Sequence, residues 1–260
     1  MKPLRIAAFG DMVSPAAVAL FEKKIGCFKR ENQVDFVIVN GENAAKGNGL
    51  DPDSALSLRQ SGADVVTGGN HTLRRFDLYP FLDDEPWLIR PINYPDSVPG
   101  MGYVISDTPY GRIMVINVMG CVYMDSLNSP FDTVDRLLDK EKGNYDLCVM
   151  DVHGEATSEK AALAHYFDGR IDAIFGTHTH VQTSDIRILK RNTGFITDLG
   201  MCGPVDSILG VDPQRVIDKF RTKLPTQFKA ASGPCSLEGA LFTLQAGKGC
   251  IEAKSFRIHE

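Results

Sequence analysis

The chain lacks any apolar run approaching the 18 residues that crossing a bilayer requires, so a membrane-spanning helix is not expected. It also lacks a signal-peptide pattern: Met1-Lys2-Pro3 passes straight into the short strand-like run Leu4–Phe9. None of its six cysteines (27, 121, 148, 202, 235 and 250) forms a C-x-x-C pair, and in 260 residues they do not read as a disulfide framework. Most read instead as small buried hydrophobes, and a reducing cytoplasm is the expected compartment. There is no basic excess. Net charge is −5, which disfavours a general nucleic-acid coat protein. It leaves open an enzyme that handles a nucleotide at a local positive site, because metal ions can supply that charge. Internal repeats, low-complexity tracts and linkers rich in Gly, Ser or Pro are absent too, so one domain spanning 1–260 is expected.

Several catalytic signatures are missing. Lys46 and Lys248 sit beside glycines without the G-x-x-x-x-G-K-[ST] spacing of a phosphate-binding loop, and Pro52 stands where Gly47-Asn48-Gly49 would need a third glycine. No G-x-S-x-G elbow and no H-E-x-x-H occurs.

What is present is an alternation of short apolar runs, polar loops and helical patterns. Strands are expected at 4–9, 34–39, 63–67, 146–152, 171–175 and 195–197, with a hairpin pair at 102–106 and 112–118 and two closing strands at 238–245 and 250–257. Ser14-Pro15, Asp51-Pro52 and Asp212-Pro213 read as caps with first-turn prolines. Further helices are expected at 73–84, 133–141 and 157–167, and Met201-Cys202-Gly203 as a loop with Asp198. The early alternation argues for a mostly parallel α/β sheet, and the late strands for an antiparallel addition.

Histidine is scarce, and its placement is uneven. Four of the six histidines (71, 153, 178 and 180) directly follow predicted strands; His165 and His259 read as surface or packing residues. Ligands bind at the carboxyl ends of strands in such sheets. There the chain places Asp11, Glu42-Asn43, Asn70-His71, His153, and His178 with His180. An extended backbone would set His178 and His180 on one face, roughly 6.6 Å apart. That spacing suits one imidazole on each of two ions about 3.5–4 Å apart. Nitrogen and oxygen donors without cysteine point away from a zinc–thiolate site and toward iron, manganese, zinc or cobalt.

These motifs carry a resemblance. Gly10-Asp11, Asn40-Gly41-Glu42-Asn43, Gly69-Asn70-His71, His153 and Gly176-x-His178-x-His180 resemble the calcineurin-like metallophosphoesterases, and more closely the bacterial YmdB-type phosphodiesterases. Residues 90–95, 153–160, 181–183 and 196–201 extend the resemblance over nearly the whole chain. Where the wider superfamily has D-x-H, position 13 is Val, and Asn43 can stand in as a donor. The resemblance implies an α/β sandwich of two mixed sheets flanked by helices. It implies two metal ions, iron or manganese first: one held by Asp11, Glu42, Asn43 and His180, the other by Glu42, Asn70, His153 and His178, with Glu42 bridging. It implies His71 as the catalytic histidine, and a metal-bridging hydroxide that attacks small phosphodiesters, 2′,3′-cyclic nucleotides among them. RNA-derived ligands and a homo-oligomer belong to the same expectation. The chain departs from the subfamily after Asp11: Met12-Val13-Ser14-Pro15-Ala16 replaces a Gly-rich, Arg-containing loop. Two other readings use the same residues. One is a phosphomonoesterase or nucleotidase. The other is a regulatory protein that senses metal or nucleotide with little turnover.

Overall fold

The computed structural model describes residues 2–260. In chain order the elements are β1 (Leu4–Phe9), β2 (Asp11–Met12), α1 (Ser14–Asn32), β3 (Phe36–Asn40), α2 (Pro52–Ser61), β4 (Val65–Thr67), α3 (Tyr79–Asp84), β5 (Tyr103–Thr108), β6 (Gly111–Met119), α4 (Pro130–Lys140), β7 (Leu147–His153), α5 (Thr157–Tyr166), β8 (Ala173–Thr177), β9 (Arg187–Ile188), β10 (Gly194–Ile196), β11 (Met201–Pro204), α6 (Pro213–Thr222), β12 (Cys235–Gln245) and β13 (Gly249–His259).

The strands form two mixed sheets. One runs β2-β11-β12-β1-β3-β4, with β13 also paired to β12; the other runs β5-β6-β7-β8-β10-β9. β1 shows why they stack. Alternate side chains of a strand point to opposite faces. Leu4, Ile6 and Ala8 join Val115, Val149, Phe175 and Phe242 in the core between the sheets. Ala7 and Phe9 turn the other way, onto Phe21 and Ile25 of α1. The second sheet repeats the scheme: Ile116, Met150 and Val152 pack on Val134 of α4 and Leu163 of α5. The result is a helix–sheet–sheet–helix sandwich, as expected.

Four parallel pairings bring strand ends to one rim. Ala8 lies beside Ile38, Asn40 beside Thr67, Met119 beside His153, and His153 beside Thr177. The helices follow from local chemistry. Asp51 Oδ1 accepts the Ser54 N–H at 2.8 Å and Asp212 Oδ1 the Arg215 N–H at 3.2 Å, as N-caps do.

Three expectations fail here. Ser14 is not a cap: it lies inside α1 with a φ of 74°, and its hydroxyl makes no capping bond. The helix expected at 73–84 is broken into single turns at Thr72–Arg74 and Phe76–Leu78 before α3 begins. Pro80 has no N–H to give the carbonyl of Phe76, so a helix cannot run through it unbroken. Met201-Cys202-Gly203 is strand β11, not a loop; it lies parallel to β2 and links Asp11 to the sheet.

Candidate active site

Asp11, Glu42, Asn43, Asn70, His71, His153, His178 and His180 form one contiguous cluster at the rim. Asp11 is fully buried. Its Oδ2 accepts the His178 N–H at 3.0 Å, and its Oδ1 lies 3.6 Å from His180 Nε2 and 3.9 Å from His153 Nδ1. Glu42 reaches His153 Nε2 at 3.1 Å with one oxygen and His71 Nδ1 at 3.2 Å with the other. Asn43 Oδ1 lies 2.8 Å from His71 Nδ1, and Asn70 Oδ1 lies 3.0 Å from His153 Nε2. His153 and His178 meet edge to face, with nitrogens 3.0 Å apart.

The pair His178 and His180 does not sit as an extended strand would place it. Their φ values are 96° and 63°, so the backbone curls through both residues. Such conformations cost about 1–3 kcal/mol each for non-glycine residues and persist only where the surroundings over-determine them. The surroundings do so. Thr179, between the histidines, donates its N–H and its hydroxyl to Asp198 Oδ2. Asp198 also accepts Lys160 Nζ at 2.8 Å, and Lys160 donates to Thr177 O at 2.7 Å. This ion pair is fully buried. His180 Nδ1 is held 3.2 Å from Leu209 O.

A second buried carboxylate orients His153. Thr177 Oγ1 donates to Asp151 Oδ1 at 2.8 Å. With its proton used there, Oγ1 accepts from His153 Nδ1 at 3.0 Å. His153 therefore keeps its Nδ1 proton and presents Nε2 to Glu42, Asn70 and His178. Thr67 and Asn40 also donate to Asp151, whose pKa burial pushes up to about 6.

Three buried carboxylate oxygens in the cluster, Asp11 Oδ1 and both Glu42 oxygens, lack an aligned hydrogen-bond donor. Burial alone would lower the His153 pKa, but Glu42 and Asp11 push it up to about 9. Burial would likewise raise Asp11, but His180 and His153 hold it well below the usual carboxylate range. A field that favours an imidazolium between two carboxylates favours a metal cation there equally. Glu42, His153 and His178 offer ligand atoms within 4.8 Å of one another. Nitrogen and oxygen donors around orphaned carboxylates fit a divalent cation. Burial lowers the pKa of His71, against the raising effect of Glu42.

Lys160, Asp151 and Thr177 were not singled out from the sequence. The one available signal was a lysine whose helical position faces the sheet, where an unpaired ammonium is rarely tolerated. His165 and His259 are both exposed, as expected.

Known proteins share this arrangement of chain and fold. The sequence profile of the YmdB-like protein family matches residues 8–255. A 2′,3′-cyclic-nucleotide 2′-phosphodiesterase of Bacillus subtilis (strain 168) is 42% identical over 241 residues, 93% of this chain and 91% of that protein. A crystal structure of a hypothetical protein from Thermus thermophilus superimposes with a TM-score of 0.94 at 36% identity, covering 99% of this chain and 100% of that one. A crystal structure of a novel phosphatase from Mycoplasma pneumoniae gives 0.94 at 32% identity, over 100% and 95% of the two chains. With its two-sheet calcineurin-like sandwich and near full-length similarity to these proteins, the chain belongs to the YmdB-like protein family.

Proposed function

We propose that the protein is a binuclear metal-dependent phosphodiesterase that opens small phosphodiesters, 2′,3′-cyclic nucleotides first among them. The observation that carries the reading is Glu42: a fully buried carboxylate with both oxygens lacking aligned donors, set between His153 and the Asn43–His71 pair. The Bacillus subtilis relative's activity supports the substrate class. Asp11, Glu42, Asn43 and His180 would hold one ion; Glu42, Asn70, His153 and His178 the other. The donor set suits iron, manganese, zinc or cobalt, and the family resemblance puts iron or manganese first. When bound, such ions supply Lewis-acid charge to the phosphate oxygens and acidify water to a usable nucleophile at neutral pH.

The chain's own residues do the rest. Thr177 and Asp151 fix the His153 tautomer, so Nε2 is the nitrogen left to coordinate. Asp198 and Lys160 hold the curled backbone that separates His178 from His180. His71 donates its Nδ1–H to Asn43 Oδ1, which leaves an unprotonated Nε2 as the base that takes a proton from the attacking water and passes it to the departing 2′ oxygen. His71 lines a cleft with Glu42, Glu155 and His178. RNA-derived 2′,3′-cyclic ends, a homo-oligomeric state and a cytoplasmic site of action extend the proposal. Among the described residues no helix is long and apolar enough to cross a membrane.

The test is metal analysis of the purified protein together with a panel of 2′,3′-cyclic and 3′,5′-cyclic nucleotides, bis(p-nitrophenyl) phosphate and the matching monoester. Two metals per chain and turnover of diesters above monoester are expected. One metal or none, with no diester turnover under manganese or iron, overturns the reading. Preference for the monoester would assign a phosphatase instead.

A further inference from the structure

The cleft around Glu42, His71 and His178 continues into a second cavity. Asn43, His71, His180 and Leu209 line both. The second cavity has a volume of 430 Å³, within the range of pockets that hold small ligands. The two differ in charge. Glu42 and Glu155 line the cleft, whereas no carboxylate lines the cavity and Lys46 and Lys229 do. Neither lysine is spoken for: among the described residues, the lysines held in ion pairs are Lys140 and Lys160.

The start of α1 forms part of the same wall, through Val13, Ser14 and Pro15. A long helix presents partial positive charge and free donors at this end. Here most of the donors are used. The Val13 N–H bonds Cys202 O, the Ser14 N–H bonds Asn43 O, and Pro15 has none. The Ser14 hydroxyl is left. It is buried, with the residue only 7% exposed, and it has no hydrogen-bond partner. A buried hydroxyl without a partner is uncommon and calls for a ligand group.

Two unpaired ammonium groups, an orphaned hydroxyl and a helix N-terminus around a cavity without carboxylates are the chemistry of an anion site. We propose that this cavity is a second phosphate subsite, taking the 5′-phosphoryl group of a nucleotide whose 2′,3′-cyclic phosphate lies in the Glu42 cleft. The proposal rests on the phosphodiesterase reading and narrows its substrate class. The substrate is a nucleoside 2′,3′-cyclic phosphate that also carries a phosphate at its 5′ oxygen. That phosphate is either a terminal monoester or the preceding internucleotide link of a short RNA.

The test compares adenosine 2′,3′-cyclic phosphate, its 5′-phosphorylated form and a dinucleotide with a 2′,3′-cyclic end on the manganese-loaded protein. Calorimetric binding of adenosine 3′-monophosphate and adenosine 3′,5′-bisphosphate runs alongside. The 5′-phosphate should raise kcat/KM and tighten product binding about tenfold or more, the usual worth of a charge-assisted hydrogen bond or two. The double variant Lys46→Gln/Lys229→Gln should bring both ratios close to one, and Ser14→Ala should lower them in part. A gain for both phosphorylated cyclic substrates assigns the subsite to either kind of phosphate; a gain for the monoester alone assigns it to a free 5′ end. A ratio near one in the wild type, or one unchanged in the double variant, overturns the subsite. Should no diester be turned over, the phosphodiesterase reading falls, and the binding ratio of the two 3′-phosphates still decides the subsite on its own.

Discussion

Gly69 leaves no room for a side chain. A Cβ there would overlap both Glu42 Oε2 and His153 Nε2, and both side chains are buried. Gly69→Ala is therefore expected to push Glu42 and His153 apart while leaving the sheets folded. Displacement of about 1 Å at such a centre can cost ~10²-fold in rate. Metal content should fall below two per chain and turnover by a similar factor, with an unchanged far-ultraviolet circular dichroism spectrum. Unchanged metal content would show that the two side chains can yield. His71 makes the opposite kind of prediction. It touches Asn43 and Glu42 through Nδ1 only, so His71→Ala should lower kcat by ~10²–10⁴-fold, the range for loss of a general acid–base group, and keep both metals. Loss of metal from that variant would assign His71 to coordination instead.

The element that decides the geometry of the rim is the turn from β8 through His180. The motif itself was legible in the sequence, because scarce histidines recurred at strand ends. The conformation was not. Alternation along an extended strand predicts side chains on one face, but the chain curls at both histidines, and the cause lies far away in sequence. Asp198 stands 19 residues beyond Thr179 and Lys160 stands 38 before Asp198. No local pattern reveals that these three meet. The strands missed from the sequence, β2, β9 and β11, fail for the same reason: two, two and four residues long, they exist because β2 and β11 pair with each other, β11 with β12, and β9 with β10. Lys160→Met should therefore be severe. It leaves Asp198 charged and buried without its cation, a loss of about 3–5 kcal/mol, read as a lower urea midpoint. The Gly200 N–H also donates to Asp198, at 2.9 Å, so a loss under about 1 kcal/mol would mean that the Thr179 and Gly200 donors alone satisfy Asp198.

Across the whole molecule, pH enters through carboxylates that the fold buries. Asp172 accepts the Cys148 N–H at 2.7 Å where β7 and β8 begin, and burial pushes its pKa up to about 6 from 3.8, against the lowering effect of that bond. The folded state thus holds this proton more tightly than the unfolded chain does. Asp172 costs no stability below pH 3.8, costs progressively more as pH rises to about 6, and carries its full penalty above that, at most about 3 kcal/mol. Asp172→Asn should flatten that part of the stability curve between pH 4 and 6. An unchanged slope in urea titrations would show that the carboxylate ionises freely in the fold. The architecture itself, strands alternating with helices and a late antiparallel pair, was legible from periodicity because each repeat is local. Which strands neighbour each other was not, and one such pairing has a further consequence. β1 lies between β3 and β12, with Leu4 opposite Leu244. During synthesis the strand leading to Asp11 must wait, with one edge bare, until some 240 more residues have left the ribosome. Any product cut short before β12 would keep every motif of the rim and lack the strand that pairs with both β1 and β11. Non-local pairing of this kind also slows the final step of folding. The growing chain is thus a natural client for chaperones that shield a bare strand edge until its partner arrives.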